Sequence, residues 1–148
     1  TLYARGKPKK VIINGHGGNT FKSMIRDLSL DYPDFLIASS EWFAFVPAKE
    51  YFDEPGDHAD ELETSVMMHY HPELVNLDEA GNGDYKKFTS QMLNEKVAWI
   101  PRNWQKVSQD TGIGNPKKAS AEKGKKYAEA VVAKYALLFE ELVHKELY

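Results

Sequence analysis

A short apolar run that breaks into a glycine-rich turn constrains this chain more than any other segment. Val11–Ile13 are β-branched, and from Asn14 to Thr20 the sequence reads Asn-Gly-His-Gly-Gly-Asn-Thr. Such a run is typical of a buried strand that delivers its last residues to the carboxyl edge of a sheet. Open α/β folds bind their ligands at that edge. Because glycines let the backbone approach a ligand closely, we expect His16 to lie at the floor of a site.

A second polar segment carries side chains suited to metal binding or proton transfer. Residues 57–65 read Asp-His-Ala-Asp-Glu-Leu-Glu-Thr-Ser. His58 precedes a predicted helix and Glu61 lies in its first turn, a spacing that can point both side chains at one centre. The positive end of a helix favours carboxylates in general, so the same acids are typical of any helix N-terminus. Taken alone, the segment fits this ordinary capping interpretation better.

Composition excludes several classes of function. The chain has 148 residues, enough for one domain with a hydrophobic core, and its net charge of −3 gives no sign of a nucleic-acid or membrane surface. It contains no cysteine, so any metal must be bound by histidine and carboxylate, which favours Zn²⁺, Mn²⁺, Fe²⁺ or Mg²⁺. No apolar run approaches the ~20 residues that span a bilayer. We expect a soluble, cytoplasmic protein that binds neither nucleic acid nor membrane.

Hydrophobic periodicity predicts alternating strands and helices over a single domain, residues 1–148. Strands are predicted at 10–14, at 35–39 with an extension over 42–46, and at 97–100. Helices are predicted from Asn19 or Thr20 to 30, over 60–70 and from 120 onward. This order favours a mostly parallel central sheet with helices on both faces. The predicted fold class is an α/β three-layer sandwich.

Capping residues and apolar stripes define the predicted helices. Asp60 with Glu63 fits a capping box for the second helix, and Ser120 is the predicted cap of the last one. Each of two helices has an apolar face that we expect to be buried. The residues of the first helix's face are Phe21, Met24, Ile25, Leu28 and Leu30, and those of the last helix's face are Tyr127, Val131, Tyr135, Leu138 and Leu142.

The first residues read like the end of a helix. Thr1–Pro8 resembles a last helical turn stopped by Gly6 and followed by proline. A chain that opens in a helix tail is predicted to be an N-terminally truncated part of a longer domain. Loss of a preceding strand would expose a sheet edge and apolar surface, so we expect the chain to associate.

Three motifs, in order and at sensible spacing, resemble the creatininase (creatinine amidohydrolase) family. The first is Asn14–Asn19 after a strand. The second is His58–Ser65, followed by Pro-Glu-Leu-Val at 72–75. The third is Gly112–Pro116 with Ala119–Gly124 leading into a long helix. The resemblance covers nearly the whole chain and is weakest at 48–56 and 76–110.

This resemblance implies an α/β fold, a dinuclear centre of a divalent metal (Zn, Mn or Fe), and hydrolysis of an amide C–N bond in a cyclic amide or formamide. His16 matches the metal-binding histidine of the family, and His58 matches its catalytic histidine, a proton shuttle near the scissile nitrogen. Family members often form hexamers, so the expected partners are a small-molecule amide substrate and further copies of the chain.

Residues around the glycine turn are the predicted substrate contacts. Gly17, Gly18 and Asn19 lie in the turn itself. Trp42 follows a predicted strand toward the same edge of the sheet. We therefore expect these four residues to border the substrate.

The chain departs from the family pattern in two ways. Creatinine-hydrolysing members carry a glutamate ligand at the position of Gly18, so creatinine is not the predicted substrate. We infer that Glu61 supplies this ligand, as in relatives with the plain glycine turn. The family's N-terminal Glu-x-His-Gly motif and its later Asp are also absent from these residues. The chain is therefore predicted to be the C-terminal portion of a creatininase-like enzyme, inactive by itself.

Two alternatives come from other functional classes. A non-catalytic or regulatory α/β module would keep the fold and lose the chemistry, but His16, His58 and Glu61 are all present. A phosphate-binding domain would use the glycine turn before a helix, with His16 incidental. The turn lacks the Gly-x-Gly-x-x-Gly spacing and a lysine, which disfavours that alternative.

Overall fold

The computed structural model of the protein describes Gly6 and residues 8–148. Contacts divide the chain into two compact units. The first unit runs up to Val46 and includes Ala130–Tyr148, and the second is Pro47–Glu129. The helix tail predicted at Thr1–Pro8 falls largely outside the described residues, so it stays a prediction.

A parallel pair of strands forms the sheet of the first unit. Strand β1 (Lys9–Asn14) pairs with β2 (Leu36–Glu41), in a register that ends with Asn14 opposite Glu41. Parallel neighbours need a crossover connection, and helix α1 (Lys22–Asp31) provides it. The strand–helix–strand unit confirms the predicted α/β class. Both strands end at the same edge, which is where the glycine turn begins.

The start of α1 differs from the prediction. Its N-cap is Phe21, whose side chain offers no acceptor, and neither Asn19 nor Thr20 caps it. The helix begins two residues later than an Asn19 cap would need, and the Asn19 side-chain amide donates to Asn14 Oδ1 at 3.2 Å, within the glycine turn. The predicted apolar face is also only partly covered: Leu30 is 81% exposed.

The segment after β2 is a turn, although its aromatic content predicted a strand extension over 42–46. Trp42–Ala44 form a 3₁₀ turn, and the Phe45 N–H donates to the Trp42 carbonyl at 3.3 Å. Phe45 then stacks on Tyr135, with ring centroids 4.2 Å apart. The aromatic side chains therefore pack by turning back onto a helix, which a β-propensity pattern does not distinguish from pairing in a sheet.

The second unit is built on helices. Helix α2 spans Glu61–Tyr70, and α3 (Gln91–Asn94) and α4 (Trp104–Val107) are single turns. Helix α5 (Ala121–His144) begins in this unit. The strand predicted at 97–100 is wrong, since this described segment runs as bends and loop with Trp99 83% exposed. Its apolar residues lack the burial that a strand of this composition would need.

Helix α5 meets α2 at a point where only glycine fits. A Cβ on Gly124 would lie 1.9 Å from the Ser65 carbonyl oxygen. The Ser120 N–H donates to Ser65 Oγ at 3.1 Å, and Ser120 Oγ accepts the Lys123 N–H at 3.2 Å. The predicted cap at Ser120 is confirmed. Gly124, the last residue of the third sequence motif, therefore allows the backbones of α2 and α5 to pack in close contact.

The predicted apolar stripe of α5 is buried from Tyr127 to Tyr135. Tyr127 and Val131 are buried, as is Tyr135, whose hydroxyl lies 2.8 Å from Ser40 Oγ. Leu138 and Leu142 are half-buried. Within the described residues, no helix has both the length and the apolar character to cross a membrane.

Candidate functional site

Asn14 organises the glycine turn at the end of β1. Its side chain is 3% exposed, and its Oδ1 accepts the His16 N–H and the Asn19 amide, each at 3.2 Å. The Asn19 N–H donates to the His16 carbonyl at 3.0 Å. A buried amide therefore fixes both ends of the turn, and the turn's shape is determined by the residue that ends the strand.

The His16 ring lies against Gly18. The Gly18 N–H donates to His16 Nδ1 at 2.9 Å, and a Cβ at Gly18 would lie 2.9 Å from the ring's Cε1. Glycine is thus required for this ring position. Because Nδ1 accepts a hydrogen bond, the neutral ring carries its proton on Nε2. A metal bound through Nδ1 would replace the Gly18 hydrogen bond.

A shallow cleft beside the turn contains part of the predicted substrate-contact set. Gly17 and Asn19 line it, together with Glu41 at the end of β2. Trp42 follows Glu41 directly, and its ring meets that of Phe43 edge-on with centroids 6.1 Å apart. Gly18 instead lies under His16. The parallel register therefore brings the turn and Trp42 to one edge of the sheet.

His58 is fixed through its backbone by the Gly-Ile-Gly motif. Its N–H donates to the Ile113 carbonyl at 3.1 Å, and its carbonyl accepts the Ile113 N–H at 2.8 Å. Gly114 follows with φ +113°, and a Cβ there would lie 2.7 Å from Asp60 Cβ. The side chain of His58 is 35% exposed. The motif at 112–116 thus holds the backbone of His58 while its imidazole stays accessible.

The predicted capping box at α2 forms with a shift of one residue. Asp60 is the N-cap and accepts the Glu63 N–H at 2.9 Å, as predicted. Glu63 reaches back to the Ala59 N–H at 2.7 Å, one residue before the cap. Ala59 adopts φ +49°, an unusual value for a residue with a Cβ. This backbone turn brings Glu63 Oε2 to 3.9 Å from His58 Nδ1.

Sequence reasoning treated Glu63 only as a helix cap. The structure places its carboxylate closer to the His58 ring than a cap requires, so it is a functional candidate that the pattern did not distinguish. Its spacing of five residues from His58 was the available signal. That spacing was masked by the capping-box pattern, which explains the same glutamate without any reference to His58.

Glu61 is fully buried and already bound within the chain. Its Oε1 lies 2.5 Å from Lys123 Nζ, and its Oε2 accepts the Glu54 N–H at 2.6 Å. Lys123 also contacts Asp53 Oδ2 at 2.8 Å. Hydrogen bonds to Asp53 and then to Glu61 raise the pKa of Lys123, so its ammonium stays charged. Both oxygens of the predicted metal ligand therefore have partners here.

The described residues do not complete a metal site. Among Gly6 and residues 8–148, no group of three or more His, Cys, Asp and Glu side chains is arranged to hold a metal ion. Catalytic zinc typically takes three protein ligands. His16 belongs to the first compact unit, and His58 and Glu61 belong to the second. The donor set in this part of the chain thus falls short of what a hydrolytic metal needs.

The ion pair between Glu61 and Lys123 supports a stability prediction. We expect Glu61→Gln to lower the free energy of unfolding by about 2 kcal/mol, because a charged partner of Lys123 is lost from a buried position. The matched control is Glu141→Gln, which breaks an exposed pair with Lys145 and should cost under about 0.5 kcal/mol. Urea denaturation measures both. Equal losses in the two variants would contradict a structural role for Glu61.

The fold and its site residues define an α/β protein whose histidines lie at a strand end and just before a capped helix. The family model for creatinine amidohydrolase, Creatininase, matches residues 1–139, and the chain belongs to this family. The resemblance inferred from the three motifs is thereby confirmed. No match was found among curated proteins.

Solved structures support the same fold. A crystal structure from Bacteroides fragilis NCTC 9343, of a protein named for an inferred creatinine amidohydrolase activity, is 59% identical with a TM-score of 0.94. The alignment covers 99% of this chain and 58% of that one. A creatininase variant of Zn-Zn type is 24% identical, with a TM-score of 0.72 over 95% of this chain and 58% of that one.

A creatininase in an Mn form gives nearly the same values. It is 23% identical, with a TM-score of 0.72, and the alignment covers 95% of this chain and 58% of that one. At these identities the two creatininases establish the fold alone. The chain spans less than two thirds of the length of each of these relatives.

Proposed function

We propose that this chain is part of a metal-dependent amidohydrolase that cleaves an amide C–N bond in a small cyclic amide or formamide. Membership of the creatininase family supports the reaction class. The observation that carries the proposal is His58, whose backbone is bonded on both sides to Ile113 while its imidazole remains accessible. A fixed backbone with an accessible imidazole is what proton transfer to a substrate requires.

In this proposal each candidate site residue has a defined role. His58 donates a proton to the leaving nitrogen as the C–N bond breaks, which prevents expulsion of an unstable amide anion. Gly17 and Asn19, which line the cleft at the strand edge, are the proposed substrate contacts, together with Trp42, the residue after Glu41. Gly18 permits the observed position of the His16 ring.

The metal of the proposed enzyme is Zn, Mn or Fe in a dinuclear centre, with His16 as one ligand. Zn-Zn and Mn forms exist among the structural relatives. Glu61 would have to leave Lys123 and Glu54 to serve as a second ligand. The remaining donors would come from outside the described residues, and the 148-residue chain would be inactive without them. When bound, the metal supplies an activated water and polarises the amide carbonyl.

Creatinine is not the proposed substrate. Relatives that hydrolyse it carry a glutamate where this chain has Gly18. A Cβ at Gly18 would lie 2.9 Å from the His16 ring, so a side chain there would require that ring to move. We propose other cyclic amides or formamides as the substrate class, and a homo-oligomer as the working assembly. Turnover of a panel of such amides by the metal-loaded enzyme, completed with the donors that lie outside this chain, is the direct test.

One observation favours a second candidate, a non-catalytic module that retains the fold. Glu61 is engaged by Lys123, an arrangement that a protein without a metal would also keep. The two candidates differ in what they predict for metal-loaded protein. Hydrolysis of any member of the amide panel excludes the non-catalytic module.

Metal analysis gives an independent prediction. We expect the 148-residue chain to bind Zn²⁺ or Mn²⁺ weakly, with occupancy that a chelator strips easily, because too few donors converge among the described residues. His16→Ala should abolish this residual binding, whereas His71→Ala, which alters an exposed histidine paired with Glu73, should not. Metal content after dialysis measures it. Stoichiometric, chelator-resistant metal on the chain would contradict the expectation.

A further inference from the structure

The His58 ring contacts Trp104, whose position is linked through Arg102 to the residue before His58. The Trp104 ring lies against the His58 ring, with centroids 5.2 Å apart and planes inclined by 55°. The Arg102 guanidinium lies 5.5 Å from the centroid of the Trp104 ring. Arg102 also forms a two-point ion pair with Asp57, the residue directly before His58, with one Nη1–Oδ1 distance of 2.8 Å. The segment 102–104 is thus tied to 57–58 through both charge and ring contacts.

The linked contacts of Asp57, Arg102 and Trp104 can restrict the orientation of the His58 imidazole. A bidentate guanidinium–carboxylate pair fixes geometry as well as charge. The same Arg102 guanidinium also makes a cation–π contact with the Trp104 indole. Glu63 Oε2 lies 3.9 Å from His58 Nδ1, beyond ordinary hydrogen-bond distance, whereas the Trp104 indole is in ring contact with the imidazole. All of these side chains are partly exposed, and Trp104 itself is 37% exposed.

We propose that Trp104 and Arg102 are positioning residues, which hold the His58 imidazole in the orientation it uses to donate its proton. Trp104 restricts the ring by contact, and Arg102 holds the indole in place through Asp57. This inference rests on the proposed function in one respect only, the role of His58 in turnover. The ring contact itself is a property of the folded chain.

Arg102 also balances the charge next to His58. Its hydrogen bonds hold the pKa of Asp57 below its usual range, and Asp57 in turn raises the pKa of Arg102, so both stay ionised. Asp57 and Arg102 therefore form a charge-balanced pair directly before His58, and the Glu63 carboxylate lies 3.9 Å from its Nδ1. Lysine at position 102 would preserve the charge and lose the two-point geometry.

The test compares Trp104→Leu, Trp104→Phe and Arg102→Lys with Trp99→Leu, which removes a highly exposed indole elsewhere. Proton NMR of the 148-residue chain first measures the ring-current shift of the His58 ring protons. We expect Trp104→Leu to abolish this shift, Trp104→Phe to retain part of it, and Trp99→Leu to leave it unchanged. Arg102→Lys should reduce it. An unchanged His58 shift in Trp104→Leu would overturn the proposal.

Turnover of the metal-loaded enzyme is the second measurement. We expect Trp104→Leu to lower kcat by about ten- to a hundredfold, as misplacement of a reacting group does, with KM within about twofold and partial rescue in Trp104→Phe. A parental kcat retained in Trp104→Leu would overturn the positioning role. If the parent enzyme hydrolyses no amide, the proposed function fails, and the NMR result alone then decides whether Trp104 orients the ring.

Discussion

Replacing His58 by alanine in the completed enzyme, with the donors that lie outside this chain present, is expected to lower kcat for the amide substrate by about 10²–10⁴-fold, the usual contribution of a general acid or base. The loss follows from removal of the proton donor at the leaving nitrogen. Metal content should stay unchanged, because His58 is not a proposed ligand. Turnover with a small panel of cyclic amides and formamides, paired with metal analysis of the same samples, measures both quantities.

The comparison with His16 makes this result specific. His16→Ala should lose metal and activity together, whereas His58→Ala should lose activity alone. His71→Ala is the matched control, since it removes an exposed histidine near the end of α2. Wild-type turnover in both His16→Ala and His58→Ala would refute the amidohydrolase proposal. Failure of the completed, fully metallated enzyme to hydrolyse any panel member would do so as well, and the non-catalytic module would then be the better account.

Gly124→Ala is expected to lower the free energy of unfolding by about 3 kcal/mol, in the range seen for overpacked interiors. In an exposed helix the same change stabilises by about 1 kcal/mol, so the sign of the effect reports the packing. The new methyl group would lie 1.9 Å from the Ser65 carbonyl oxygen, and either α5 or α2 must move. Chemical denaturation measures the change.

Gly15→Ala is the control for this prediction. A Cβ at Gly15 would meet no atom within 4 Å, so this substitution should alter stability little. A further expectation concerns the neighbouring residue: if α5 shifts, the contact of Lys123 with Glu61 should weaken too. A stabilised Gly124→Ala variant would show that α5 does not pack against Ser65 as described.

Local signals in the sequence predicted the elements that depend on local chemistry. Strand β1 and the caps Asp60 and Ser120 were predicted correctly, because a β-branched run and a capping side chain act within a few residues. The start of α1 was wrong for the complementary reason. Asn19 has the chemistry of a cap, but its amide is engaged by the buried Asn14.

The site residues show the same division. The motifs correctly predicted that His16 follows a strand and that His58 precedes a helix. The structure adds that the backbone of His58 is hydrogen-bonded to Ile113. The partner of Glu61 was not predictable, because Lys123 is 62 residues away and reads as an ordinary lysine in the first turns of a helix. The sequence around Trp104 likewise gives no sign of its contact with His58, which depends on the fold.

The first turns of α5 also constrain the order in which the second unit can fold. Two adjacent residues there contact α2. Gly124 allows the close approach of the backbone at Ser65, and Lys123 forms an ion pair with Glu61. Burying an unpaired carboxylate is costly, so we expect Glu61 at the start of α2 to be buried only when α5 packs against it and brings Lys123. Docking of the two helices and burial of the charge are therefore one event, and α2 should gain hydrogen-exchange protection together with α5.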